Sequence, residues 1–241
     1  MISIEYNTNK MSVKISILMP IYNGVEFFEE SLNSILEQTY EHWELIIGVN
    51  GHPANSSVYR TVLEKMKQDI NQKIKVYDFP ELKGKANTLN EMKNYCDKDS
   101  SYVAILDVDD LWHPEKLRIQ SPFLDKYDVI GTKCVYFGEM EGVIPNIPVG
   151  DISFLDFFSG NPIINSSSLI RKEFAWWSDQ FLGLDDYYLW LQLRKEGKTF
   201  FNCQEVVVKH RIHKQSAFNA KGNHHRVKDL LLYFMPTLGR K

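Results

Sequence analysis

Apolar runs at residues 15–19, 43–49, 74–77 and 102–106 alternate with amphipathic or polar segments at 25–38, 56–70 and 85–95. This alternation limits the chain to few folds. Each strand followed by a crossover helix returns as a parallel strand, so the pattern predicts a parallel sheet with helices on its faces. On the first helix Phe28, Leu32, Ile35 and Leu36 share one face. Pro20 is expected to close the first strand, and Asn50-Gly51 the second. The expected class is α/β, and the alternation over this first half, residues 14–110, resembles half of a nucleotide-binding sheet.

Residues 111–220 read less regularly. Strands are expected at 128–137, 165–170 and 206–212, a short helix at 152–158 and a longer one at 187–196. A Gly- and Pro-containing loop fills 138–150. Residues 1–13 read as an extension, and 221–241 as a terminal helix and tail. No repeat or linker interrupts the 241 residues, so one domain is expected. With 44% hydrophobic residues, such a chain can bury a core without disulfides or a structural metal.

A net charge of −3 gives no general attraction to nucleic acid or to anionic membranes. Cys96, Cys134 and Cys203 are widely spaced and match no zinc pattern, as expected of buried thiols in a reducing compartment. No basic leader with an apolar core is present, and no apolar run approaches the ~18 residues of a membrane span. A cytoplasmic protein is expected. The apolar stretch 230–235 is expected to pack on the domain, with peripheral membrane contact as the alternative.

The chemistry concentrates at Asp107-Val108-Asp109-Asp110, directly after the fourth apolar run. Ligands of open α/β sheets bind beyond the carboxyl ends of the strands. Three carboxylates within four residues repel one another unless a cation joins them. Hard oxygen ligands at that density suit Mg²⁺ or Mn²⁺, which share coordination with substrate phosphates. A solvated acidic turn is the alternative.

The stretch from Asp107 through Leu111-Trp112-His113-Pro114-Glu115-Lys116-Leu117 resembles the Asp-x-Asp-Asp-x-x-x-Pro-x-x-Leu segment of family 2 glycosyltransferases. Four more segments match in the family's order. Residues Ile15 to Asn23, with Pro20-Ile21-Tyr22, look like its first strand and nucleotide loop. Gln38-Thr39-Tyr40 resembles the segment before its second strand, and Gly84-Lys85-Ala86-Asn87-Thr88-Leu89-Asn90 its Gly-Lys-Ala-x-x-Leu-Asn motif. Leu184-Asp185-Asp186-Tyr187-Tyr188-Leu189-Trp190-Leu191 is similar to its Glu-Asp-x-x-Leu-Trp-Leu block. The resemblance covers about residues 14–216.

That resemblance implies a GT-A fold, a single Rossmann-like, mostly parallel mixed sheet flanked by helices, and inverting transfer from a nucleoside diphosphate sugar. Pro20, Tyr22 and Asn50 would line the base, and Lys85 the donor phosphates. Asp107 would approach the ribose and Asp109 the metal, with Asp110 supporting either. Asp186 would be the general base, with Asp185 beside it; helix capping is the alternative for this pair. His213, in Arg211-Ile212-His213-Lys214-Gln215-Ser216, would complete the metal site or contact the diphosphate. Trp176 and Trp177, with residues 161–168, fall where the family builds its acceptor pocket. Adjacent tryptophans cannot both face it on a regular element, so one is expected in the core. His210 and the His224-His225 pair match nothing comparable.

Gly48-Val49-Asn50-Gly51-His52 stands where the family usually has Val-Asp-Asp-Gly-Ser. The Asn50 oxygen can accept from a pyrimidine N–H, but its amide also brings donors, so guanine stays open beside uracil. The expected partners are a nucleotide-sugar donor, UDP-linked in the first instance, and a glycan or lipid-linked acceptor. The rival readings are a non-catalytic sugar-nucleotide module and a haloacid-dehalogenase-type phosphatase.

Overall fold

The computed structural model describes residues 13–66, 73–214 and 224–238. Residues 1–12 of the expected extension, 67–70 of the second helix, Gln215-Ser216 of the late motif and the tail 239–241 lie outside the described residues.

The first half follows the alternation of its sequence. Strands β1 (Lys14–Ile21), β2 (Trp43–Asn50), β3 (Ile74–Phe79) and β4 (Ser100–Ile105) alternate with helices α1 (Phe28–Leu36), α2 (Ser57–Met66) and α3 (Lys85–Lys93). The four strands pair in parallel in the order β3-β2-β1-β4. β2 is buried along its whole length, the environment that an unbroken apolar run requires. Pro20 does not end β1, which continues to Ile21. Pairing with β4 stops at Leu18, so the stretch carrying Pro20 has a strand neighbour only in β2, opposite Gly48.

The second half completes a nine-stranded mixed sheet. It contains β5 (Leu111–Trp112), α4 (Lys116–Gln120), β6 (Val129–Gly138), β7 (Gly150–Asp151), β8 (Leu169–Arg171), α5 (Asp185–Lys195), β9 (Phe200–Ile212) and α6 (His224–Leu238). β8 runs antiparallel to both β4 and β6, and β9 runs parallel to β6. Two reversals restore direction, so β9 ends on the same edge as β1, β2 and β4. That edge collects every residue discussed below.

Three expectations fail here, each for a local reason. Residues 152–158 form no helix, because Asp156 Oδ1 accepts the Phe158 N–H at 2.9 Å and Phe157 takes a left-handed backbone at φ 66°. Residues 165–168 form no strand. Asn165–Ser167 is a 3₁₀ turn in which Ser167 Oγ bonds the Ile164 carbonyl and Ser168 Oγ the Asn165 carbonyl. β9 begins at Phe200, not at 206, because its first residues pair with β6 through a bulge.

Two apolar layers sandwich the sheet. One packs Ile15, Ile17 and Met19 of β1 against Leu32 and Ile35 of α1, Val62 of α2 and Leu117 of α4. The other packs Leu18 against Leu89 and Met92 of α3, Leu189 and Leu193 of α5, and Leu230 and Phe234 of α6. The alternation along β1 is the strand period of two. The apolar C-terminal stretch therefore docks on the domain through Leu230 and Phe234, while Leu232, Tyr233 and Met235 face outward. Among the described residues no helix is long and apolar enough to cross a membrane. All three cysteines are free thiols, and Cys134 and Cys203 are buried.

Candidate active site

The acidic cluster begins where the ladder stops. The Leu106 N–H donates to the Leu18 carbonyl at 3.1 Å, and the Asp110 N–H then closes a turn onto the Asp107 carbonyl at 3.0 Å. Each carboxylate in the turn has its own partners. Asp107 forms an ion pair with Lys85, and its other oxygen accepts Asn165 Nδ2 at 3.0 Å. Asp109 Oδ2 lies 2.9 Å from His213 Nε2. Asp110 is fully buried, with Oδ2 2.9 Å from His210 Nδ1 and Oδ1 accepting the Arg211 N–H at 2.8 Å.

Asp110 thus corrects an expectation. Both of its oxygens are committed to β9, so it would support a metal or a ribose only by fixing that strand. His210, which matched no motif, is its partner. Nothing local in the sequence links residues a hundred positions apart; the link needs the two reversals that bring β9 beside the end of β4. Arg211 tightens the same junction. It donates Nε to the Asp109 carbonyl at 2.8 Å and pairs with Glu30 at 2.6 Å. Its guanidinium also lies 4.3 Å from the Phe27 ring centroid and 4.2 Å from that of Phe137.

The electrostatics follow from these partners. Burial alone would raise the Asp107 pKa, but Lys85 and Asn165 hold it below the ordinary value. Burial would lower His210, yet Asp110, Asp107 and Asp109 together raise it to about 9. Asp109 is the exception. Its pKa is raised by burial and by Asp110 and Asp107, and His213 offsets that only in part. The unrelieved negative charge of the turn therefore sits on Asp109.

A divalent cation fits this spot under one condition. Among the described residues no group of three or more His, Cys, Asp and Glu side chains gathers as an all-protein cage would. Asp109 and His213 offer one oxygen and one nitrogen, so the remaining ligands would have to come from a phosphate-bearing ligand or water.

Lys85 joins this cluster to the second pair of acids. It is the first residue of α3, after Gly84 at φ 84° and ψ 147°, a backbone open only to glycine. Burial would lower its pKa, but Asp107, Asp185 and Asp186 more than offset this and keep the ammonium charged. One cation thus faces both the turn after β4 and the first turn of α5.

Asp185 and Asp186 lie in the first turn of α5, after Leu184 at the cap position. Asp186 Oδ2 accepts Asn161 Nδ2 at 2.9 Å, and Oδ1 accepts the Tyr187 N–H at 2.7 Å. Burial, then repulsion from Asp185, raises the Asp186 pKa to about 6, with Lys85 and Asn161 pulling the other way. Burial also raises Asp185. A buried carboxyl poised near neutral pH is suited to proton transfer.

The outer end of the edge carries Pro20, Tyr22 and Asn50. Tyr22 is 55% exposed, and His52 stacks on it with centroids 5.1 Å apart and planes at 25°. Asn50 is buried, and its Nδ2 donates to the Leu82 carbonyl at 3.4 Å. The tryptophans separate as expected of neighbours. Trp177 is 1% exposed and belongs to the core, which removes it from any acceptor site. Trp176 is 65% exposed, in a groove away from the acids.

Beneath Asp107 lies a buried polar shelf that sequence reasoning missed. Asn165 and Ser166 touch Asp107 directly, the latter by accepting its N–H at 3.1 Å. Trp112 Nε1 donates to the Ser166 carbonyl at 2.6 Å, and Gln120 Nε2 to the Ser167 and Ile130 carbonyls at 2.9 and 3.0 Å. Lys116, fully buried, donates to Gln120 Oε1 at 2.8 Å and stands 3.9 Å from the Trp112 ring centroid. Burial pushes its pKa well below the ordinary value, and Cys203 offsets this only in part. Asn165 Oδ1 is buried without a hydrogen-bond partner among the described residues.

Residues 16–176 match the model of glycosyl transferase family 2. Over 215 residues the chain is 26% identical to the Escherichia coli UDP-Glc:alpha-D-GlcNAc-diphosphoundecaprenol beta-1,3-glucosyltransferase WfgD, covering 86% of this chain and 80% of that protein. Its fold is similar to that of Staphylococcus aureus TarS 1–349 in complex with UDP-GlcNAc, at TM-score 0.70 and 15% identity over 93% of this chain. It is also similar to the mannosyltransferase PcManGT from Pyrobaculum calidifontis in complex with GDP-Man and Mn²⁺, at TM-score 0.66 and 17% identity over 95% of this chain. The chain spans 66% and 64% of the lengths of those two structures.

The shelf gives a test that needs no ligand. Gln120→Leu removes a donor from two buried carbonyls and the acceptor of the Lys116 amine, at about 1–3 kcal/mol for each group left unsatisfied. Urea unfolding is expected to show a loss of several kcal/mol with an unchanged slope. A midpoint within error of the unsubstituted protein would show that the shelf does not hold the site.

Proposed function

This chain belongs to glycosyl transferase family 2 and is a glycosyltransferase of GT-A fold, and we propose that it moves a sugar, with inversion, from a UDP-linked donor to a hydroxyl of a glycan or lipid-linked acceptor. The observation that carries this reading is the convergence on Lys85. A single ammonium balances the Asp107 carboxylate on one side and the Asp185–Asp186 pair on the other. A donor site and a proton acceptor thus share one edge of the sheet.

The base binds beside Pro20, Tyr22 and Asn50. The exposed Tyr22 ring offers a stacking face, worth about 1–3 kcal/mol against a base. With Nδ2 committed to the Leu82 carbonyl, Asn50 meets the ligand as an acceptor through Oδ1, which suits the imide N–H of uracil. The UDP-sugars in the names of WfgD and of the TarS complex support the same choice. Asp107, held by Lys85 and Asn165, would take the ribose hydroxyls.

Asp109 and His213 would hold Mn²⁺ or Mg²⁺, which when bound neutralises charge on the departing diphosphate. The imidazole favours Mn²⁺, the ion in the PcManGT complex. Lys85 adds a charge on the phosphate side; at ~4 Å and an effective dielectric near 20, such a pair is worth about 4 kcal/mol. Asp186, steered by Asn161, takes the acceptor proton as the hydroxyl oxygen bonds to the anomeric carbon. The bond from that carbon to the diphosphate oxygen breaks on the opposite face, and the diphosphate leaves with the electron pair. Asp185 repels negative charge and keeps the Asp186 pKa high. Three free thiols accord with a cytoplasmic enzyme.

Two results are expected. Asp109→Asn abolishes nucleoside diphosphate release from a UDP-sugar panel with Mn²⁺. Tight nucleotide binding by the unsubstituted protein without release from any donor would instead identify a binding module. Asp186→Asn leaves nucleotide affinity within a few-fold and eliminates transfer. Because only the ionised carboxylate accepts a proton, kcat of the unsubstituted enzyme rises with pH through about 6, the raised Asp186 value, and is flat above it. Transfer by Asp186→Asn with an unaltered acidic limb would remove Asp186 from the base role.

A further inference from the structure

Two loops leave the sheet side by side at its outer end. β1 and β2 stay paired as far as Ile21 and Val49. Tyr22 is the first residue beyond β1, and Gly51 and His52 are the first two beyond β2. An exposed tyrosine is ordinarily free to turn among its rotamers. A ring with that freedom loses it when a ligand settles on it, at a cost in affinity.

Here the freedom is removed in advance. The His52 imidazole stacks on one face of the Tyr22 ring, with centroids 5.1 Å apart and planes at 25°, a separation at which aromatic pairs attract. The His52 Nε2–H donates to the Tyr22 carbonyl, so one imidazole holds both the ring and the backbone that carries it. Gly51 fixes the ring's edge. Its φ is 73°, and a Cβ there would stand 3.1 Å from Cδ2 and Cε2 of Tyr22, so only glycine lets the ring lie against this backbone. The loop that presses on Tyr22 is anchored in turn, since the Gly51 N–H donates to the Phe79 carbonyl at the end of β3, at 3.2 Å.

The contacts leave one side of the ring for a ligand. Tyr22 is 55% exposed with His52 already on it, so the face opposite His52 is open. We propose that His52 is a positioning residue for the nucleotide: it backs the Tyr22 ring, and the base stacks on the opposite face. The base as occupant rests on the UDP-donor reading of this edge, and the role of His52 goes beyond that reading. In this arrangement His52 does not touch the ligand, and its whole effect on affinity passes through Tyr22.

A double-mutant cycle on nucleotide binding tests that dependence. UDP is titrated by calorimetry, with Mn²⁺ present throughout, into the full chain and into Tyr22→Ala, His52→Ala and the double variant. The unsubstituted chain is expected to bind UDP. Tyr22→Ala is expected to weaken binding about tenfold or more, and His52→Ala about three- to tenfold. In the Tyr22→Ala background, His52→Ala is expected to change affinity by less than about twofold, because no ring remains to be held. A residue that merely stabilised the fold would cost the same affinity in both backgrounds. Three outcomes would overturn the proposal: UDP affinity unchanged by His52→Ala, a loss of equal size with and without the Tyr22 ring, or tighter binding in His52→Ala. The last would put the imidazole in the place of the base. No UDP binding by the unsubstituted chain contradicts the donor reading and this proposal with it, whereas UDP binding indifferent to His52 contradicts this proposal alone.

Discussion

Three carboxylates placed within four residues repel one another, and the edge of this sheet is organised around relieving that repulsion. Asp107 is relieved by Lys85 from α3, and Asp110 by His210 and the Arg211 N–H from β9. Asp109 is paired with His213, which offsets its raised pKa only in part. The unequal distribution is informative: two of the charges are absorbed by the fold, and on the proposed reading the third would be balanced by a cation and the ligand that accompanies it. A turn with all three acids satisfied internally would have no reason to attract a diphosphate.

That arrangement explains features distant from the chemistry. β9 is long because its final residues must reach the turn after β4, while its first residues stay paired with β6. The Asn165–Ser167 turn interrupts what would otherwise extend β8, and by doing so brings Asn165 and Ser166 under Asp107. Lys116 and Gln120 on α4, with Trp112, fix the carbonyls of that turn from below. Asp107 and the Asp185–Asp186 pair then meet at Lys85, whose position depends on the left-handed backbone of Gly84. Arg211 locks α1 to the same corner through Glu30.

Much of this was legible in the residues. The four parallel strands, their helices and the acidic turn follow from apolar periodicity, because covered strands and amphipathic helices differ in period. The catalytic candidates followed from motif order. Three kinds of feature were hidden. The Asp110–His210 pair depends on topology, which no local pattern encodes. The shelf consists of polar residues whose partners are backbone carbonyls, and it looks like an ordinary loop in sequence. At residues 152–158 and 165–168, Asp, Asn and Ser side chains capture backbone groups and override the apolar pattern. The Trp176-Trp177 pair was read correctly as one core and one surface residue, but only the structure shows which ring is which.

The central claim is that Asp109 and His213, and not Asp110, would hold the cation. A crystal structure with UDP and Mn²⁺, with the ion located by its anomalous scattering, tests it most directly. The account predicts one Mn²⁺ bonded to Asp109, His213 and the diphosphate, with Asp110 still holding His210. An ion ligated by Asp110, or a diphosphate bound with no ion while Asp109 stays on His213, would contradict it.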